Sequence, residues 1–135
     1  MPRQMELATT GSHARIRLKR VYAPAGPDDG TRILVDRLWP RGVSKARAAL
    51  DHWCKEIAPS TELRRWFGHD PSRWTEFRIR YRTEVRGNTA RLAELRRLVH
   101  ASPVTLVFGA RDEQHNEAVI LRDVLLEDAG QCDLD

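Results

Sequence analysis

Ile33-Leu34-Val35 is an unbroken aliphatic run that stops abruptly at Asp36-Arg37-Leu38-Trp39-Pro40-Arg41-Gly42. Three aliphatic residues in succession suit a strand covered on both faces. The pattern returns in Val104-Thr105-Leu106-Val107-Phe108, which follows Pro103 and discharges into Gly109-Ala110-Arg111-Asp112. Both runs end in polar loops, and in open α/β sheets ligands collect beyond the carboxyl ends of the strands. The expectation is α/β: a single compact domain with a small, mostly parallel sheet of three or four strands flanked by helices. The two strand-exit loops are then expected to be neighbours in space.

Ile16, Leu18 and Val21 alternate imperfectly with Arg17, Lys19 and Arg20, which predicts a strand over 15–21 that is polar on one face. Its loop, Tyr22 to Gly30, contains two prolines and Asp29-Gly30. It falls short of the dozen or so residues usual for a parallel crossover with a helix, so the direction of the first strand stays open. Asp51 to Ile57 reads as a brief third strand with Trp53, Lys55 and Ile57 on one face.

Helices fill the rest. Ser44 caps one that runs to Leu50, and Pro59-Ser60 opens another through Leu63, Trp66 and Phe67, stopped by Gly68. Asp70-Pro71 begins a longer helix whose core stripe is Trp74, Phe77, Tyr81 and Val85. On its outer surface, Glu76 with Arg80 and Arg80 with Glu84 have the spacing of ion pairs. After Gly87-Asn88 come Leu92, Leu95, Leu98 and Val99, and a last helix holds Val119 through Leu126.

At 135 residues the chain suits one core, assigned to 15–127, with a disordered arm at 1–14 and an acidic, frayed tail at 128–135. No apolar run approaches the ~18 residues of a membrane span and no signal-peptide core is visible, so a cytoplasmic protein without a membrane partner is expected. Residues 62–110 carry a net charge of +5 and 111–135 carry −6. The basic middle allows for phosphate or nucleic acid as a partner, or simply a solvated helical surface. Cys54 and Cys132 form neither a disulfide framework nor a Cys-x-x-Cys pair. Cys54 is also no phosphate-cradling nucleophile, because Ser60 stands where Cys-x5-Arg requires arginine. His52, His69 and His115 are too dispersed to suggest a metal site.

Two constellations carry the candidate chemistry. In the first loop, Asp36 is placed to orient a cation or transfer a proton, Arg37 and Arg41 offer fork-shaped donors for carboxylate or phosphate, and Trp39-Pro40 shapes the loop. In the second, Asp112, His115 and Asn116 stand at a helix start, whose free N–H groups favour an anion, and His115 is suited to acid–base work near neutral pH. The bland alternatives are an internal Asp–Arg lock in one loop and helix capping in the other.

Taken together, LVDRLWPRG at 34–42, W-x-K-E-I-A-P-S at 53–60, L-R-x-W-F-x-H at 63–69, W-x-x-F-x-x-R-Y at 74–81 and F-G-A-R-D-x-x-H-N at 108–116 resemble the YeaO-like branch of the bacterial domain-of-unknown-function family 488. The resemblance spans about 15–127 and implies a compact α/β domain without a settled activity. By that resemblance the family's polar positions fall on Asp36, Arg37, Arg41, Lys55, Ser60, His69, Tyr81, Asp112, His115 and Asn116, with Arg111 where lysine is expected. The resulting expectation is a pocket for a small anionic or phosphorylated ligand. Asp36 and His115 are its candidate catalytic groups, and Arg37, Trp39, Arg41, Lys55, Ser60, His69, Tyr81, Asp112 and Asn116 its candidate ligand contacts. No cofactor is indicated, and whether a reaction is catalysed is left open. The alternatives are a nucleic-acid-binding module using the arginine-rich helices of 64–97, or a protein-interaction domain with no chemistry. Oligomeric state is not legible.

Overall fold

In the computed structural model, residues 16–134 are described, with side chains as far as Glu127. The expected arm at 1–14 lies outside the described residues. Four strands, β1 (Ile16–Arg20), β2 (Thr31–Leu34), β3 (His52–Trp53) and β4 (Val104–Phe108), form one all-parallel sheet in the order β1-β4-β2-β3. The helices are α1 (Lys45–Ala48), α2 (Thr61–Phe67), α3 (Trp74–Gly87), α4 (Thr89–Ala101) and α5 (Glu117–Leu134). The backbone of α5 thus runs through the stretch expected as a frayed tail.

The open question of strand direction is resolved by topology. β1 and β2 are parallel but not adjacent, because β4 lies between them. Residues 21–30 make the crossover without a helix, which about 3.3 Å of reach per residue allows over strands this short. The third strand is shorter than expected: after His52–Trp53 the chain enters a 3-10 turn at Lys55–Ile57. Ile57 is thereby turned into the core while Lys55 stays exposed, so the Trp53, Lys55, Ile57 face does not exist.

The sheet is covered unequally. Val104, Leu106 and Phe108 of β4 with Ile33 and Val35 pack under the long helices, against Phe77, Tyr81, Leu95 and Leu121. The alternate positions Val107 and Leu34 face a smaller cluster with Val21, Val43 and Ala48. Every residue of β4 is buried, as expected of a strand covered on both faces. On the thin side a buried ionic lock joins the short α1 in covering the sheet. The Asp29 carboxylate receives Arg32 Nη1 at 2.6 Å, Lys19 Nζ at 2.9 Å and the Gly26 N–H at 3.1 Å. Arg32 donates onward to the Ala48 carbonyl at 2.8 Å, and the Thr105 hydroxyl donates to the Asp29 carbonyl at 2.7 Å. Burial alone would raise the Asp29 pKa, but Lys19, the Gly26 N–H and Arg32 outweigh it and hold the carboxyl at about 2. Gly30 completes the turn with φ +65°, and a Cβ there would stand 2.2 Å from the Pro103 carbonyl oxygen.

Of the predicted stripe, Phe77, Tyr81 and Val85 are fully buried, while Trp74, at the first position of α3, is half-buried. Glu76 pairs with Arg80 at 2.8 Å. Glu84 does not take the expected Arg80: its carboxylate accepts the Ser60 N–H at 2.9 Å and the Ser60 hydroxyl at 2.6 Å, tying the start of α2 to α3.

Candidate functional site at the strand exits

The Val35 N–H donates to the Val107 carbonyl at 3.0 Å, so the β2 and β4 exits leave the sheet side by side. There the Gly109 N–H donates to Asp36 Oδ2 at 2.9 Å. A Cβ at Gly109 would stand 2.9 Å from that oxygen, so only glycine lets the carboxylate come this close. Trp53 Nε1 fastens the same turn by donating to the Asp36 carbonyl at 2.8 Å, and the Trp39 ring meets the Trp53 ring edge-on at 5.4 Å. Trp39 Nε1 in turn donates to the Val43 carbonyl at 2.6 Å, which gives Trp39 the expected shaping role.

Beneath these loops opens a cavity of about 270 Å³. Its floor is aromatic: Phe67 and Phe77 stack with centroids 4.2 Å apart, and Pro40, Ala58 and Pro59 close the sides. Asp36, Arg37, Trp39, His69, His115 and Asn116 line it, so residues from both predicted constellations share one space. Glu117 and Arg64 line it as well. Glu117 is half-buried. Burial first, then the hydrogen bond and the charge of Asp36, hold its pKa well above the ordinary value of 4.5. Sequence reasoning missed Glu117 because an acid in the first turn of a helix is what the helix dipole favours anyway.

Arg37 forms no lock with Asp36. Its Nε and Nη2 donate to the Pro59 and Ala58 carbonyls, each at 3.2 Å, bridging the loop to the approach of α2. His115 Nδ1 pairs with Asp112 Oδ2 at 2.8 Å, which makes Nδ1 the proton-bearing nitrogen and leaves Nε2 as the other. The imidazole lies edge-on to Trp74 at 5.1 Å. Two of the N–H groups expected to seat an anion at this helix start, those of Ala118 and Val119, are already bonded within the chain. Asn116 Oδ1 accepts from Ala118 and Val119, and Asp112 Oδ1 accepts from Gln114 and His115. Capping thus accounts for those donors.

The remaining candidates stand outside the cavity. Arg41 is exposed, and its carbonyl accepts the Tyr22 hydroxyl at 3.0 Å. Lys55 lies over the Trp53 ring at 5.0 Å. Ser60 caps α2. Tyr81 is fully buried, where its hydroxyl donates to the Ile57 carbonyl at 2.6 Å, and burial raises its pKa well above the usual range. His69, by contrast, lines the cavity and has φ +58°, directly after the left-handed Gly68. A second groove of about 290 Å³ holds His52 and Cys54 beside Arg91 and Glu94, which pair at 3.2 Å. Burial, then Glu94 and Glu56, raise the Cys54 thiol's pKa, the behaviour of a packing residue rather than a nucleophile. Among the described residues no group of three or more His, Cys, Asp or Glu side chains converges to hold a metal, and no helix is long and apolar enough to cross a membrane.

A family model described as the inactive DUF488-N3 subclade matches residues 15–134. The chain belongs to this DUF488 family. It is 44% identical over 110 residues to the uncharacterized protein YeaO of Escherichia coli K12, covering 82% of this chain and 96% of that one. Uncharacterized proteins of Mycobacterium bovis and Mycobacterium tuberculosis are each 46% identical over 111 residues, covering 82% of this chain and 93% of theirs. No solved structure matches at the threshold these relatives pass. The DUF488 relationship accounts for the interlocking sequence blocks, and those blocks supply much of the cavity wall: Asp36 to Pro40, Ala58-Pro59, Phe67, Phe77 and the 109–116 turn.

Proposed function

We propose that the cavity binds a small molecule bearing an anionic group of the carboxylate or phosphate kind, and that it holds this ligand rather than transforming it. The observation that carries the reading is the distribution of charge around the cavity. Arg37 and Arg64 line it with His69 and His115, whereas Glu117 retains its proton to a pH well above the usual carboxyl range and so adds less negative charge than its side chain suggests. Arg64 has no ion-pair partner among the described residues. The inactive label on the matching family model favours binding without turnover.

The arginine-rich helices support a nucleic-acid interface less well. Arg73 faces Asp70, Arg80 pairs with Glu76, Arg82 and Arg86 both reach Glu127, and Arg91 pairs with Glu94. These guanidiniums are largely neutralised by their own surface.

Tryptophan fluorescence titrations with benzoate and phenyl phosphate test the proposal, since Trp39 lines the cavity. Saturable binding is expected, weakened at least about tenfold by Arg64→Ala, the usual consequence of losing a charged partner. Arg41→Ala, on the exposed loop outside the cavity, is expected to change it little. Failure of both anions to saturate overturns the reading. Binding only to long polyanions, with affinity falling steeply with salt, replaces it with the nucleic-acid alternative.

A further inference from the structure

Leu38 is 61% exposed, more than any other large apolar side chain among the described residues. It lines the cavity but packs into neither core cluster. A single exposed leucine or isoleucine ordinarily needs no explanation, and Ile79, 57% exposed on α3 and absent from the cavity wall, is such a residue. Leu38 differs because the loop on either side of it is tied down. Trp53 Nε1 donates to the Asp36 carbonyl, Arg37 to the Pro59 and Ala58 carbonyls, and Trp39 Nε1 to the Val43 carbonyl. These bonds keep Leu38 on the cavity wall although it adds nothing to the core. Much of the remaining wall is also apolar, with Trp39, Pro40, Pro59, Phe67 and Phe77 lining a space of about 270 Å³. That is far more room than a water or one small ion needs. Water against such a wall finds few partners, and an apolar group that displaces it gains affinity.

We infer that the ligand is an anion carrying an apolar body about the size of one ring, and that Leu38 is a specificity-determining contact for that body. This deepens the proposed function and rests on it. A bare phosphate or acetate satisfies the cationic side chains but leaves the apolar wall wet. A ring attached to the same head group covers that wall and Leu38 with it. Leu38 makes little contact in the free protein and its loop is already formed, so its surface is available to a ligand at little ordering cost.

Matched anions separate the apolar body from the charge. Wild-type protein is titrated by calorimetry with acetate, benzoate and cyclohexanecarboxylate, and with inorganic phosphate and phenyl phosphate. Each ring-bearing anion is expected to bind at least about tenfold more tightly than the bare anion with the same head group, the gain of burying several ring carbons. Leu38→Ser is expected to melt as wild type does and to weaken the ring-bearing anions about three- to fivefold, the loss of part of one leucine's buried surface. Acetate and phosphate are expected to bind this variant as they bind wild type, and Ile79→Ser to change nothing. If the bare anions bind as tightly as the ring-bearing ones, the inference is overturned and the anion site stands. If Leu38→Ser weakens both kinds alike, weakens neither, or lowers the melting temperature by several degrees, Leu38 is not a contact for the body and the inference is likewise overturned. If no anion binds, the proposed function fails and this inference with it.

Discussion

Asp36 and Gly109 meet through a 2.9 Å hydrogen bond although they lie 73 residues apart in the chain. The bond joins the exits of the two central strands and holds the Asp36 carboxyl against Glu117. Gly109→Ala sets a Cβ 2.9 Å from Asp36 Oδ2, so the carboxylate must withdraw and leave the N–H unpaired. A loss of about 1–3 kcal/mol is expected, the cost of one unsatisfied polar group. Urea unfolding measures it, and an unchanged midpoint rules the junction out as a stabilising element.

The Glu117 carboxyl titrates far above its ordinary value of 4.5 in the folded protein. Protonation therefore favours the fold, fully so below 4.5, and this contribution is lost as pH rises through the raised folded value. Glu117→Gln keeps the hydrogen bond to Asp36 without an ionisable proton. Its melting temperature is expected to gain on wild type steadily as pH increases, and parallel pH profiles for the two proteins contradict the raised Glu117 pKa.

Asp29 behaves in the opposite sense. Its carboxyl is held at about 2 against an ordinary 3.8, so its stabilising contribution is present above 3.8 and disappears as pH falls through 2. Asp29→Asn removes charge from a lock that includes buried Arg32. The expected loss is on the order of 2 kcal/mol near neutral pH, shrinking in acid. Chemical denaturation at several pH values reads both the size and the direction.

Phe77 and Trp74 share a stripe but not an environment. Phe77 is enclosed between Phe67 and Tyr81, with ring centroids at 4.2 Å and 5.9 Å, and Phe77→Ala is expected to cost about 3–5 kcal/mol. Half-buried Trp74 gives up less contact, so Trp74→Ala is expected to cost less than Phe77→Ala and to disturb His115, whose ring it supports. Equal destabilisation by the two variants places Trp74 as deep in the core as Phe77.

How much of this was legible follows from the kind of signal each residue leaves. The β2 and β4 strands were readable because burial on both faces writes a continuous aliphatic run, and the start of α2 because Ser60 carries capping chemistry; Asp70-Pro71 caps a 3-10 turn at Pro71–Arg73 instead, so α3 begins later, at Trp74, than that signal implies. Proximity of the two loops followed from parallel strands ending together. Partnerships between distant polar groups left no such trace. Glu84 has the spacing to pair with Arg80 but is claimed by Ser60. Arg37 sits beside Asp36 yet serves the Pro59 and Ala58 carbonyls. Arg41 stands in the same loop as Trp39, but only Trp39 lines the cavity. Asp29 reads as an ordinary turn residue next to glycine until the crossover folds it beneath the sheet.

The strand order also imposes a schedule on assembly. β1 and β2, both made before β4, do not pair with each other; both pair with β4, made after the long helical stretch. A nascent chain short of Val104 therefore displays two strands without their common neighbour, and such late, non-local pairing slows folding and prolongs exposure of sticky edges. The cavity is completed later still, when Gly109 reaches Asp36. Truncation anywhere before β4 removes the centre of the sheet and the binding site in a single cut.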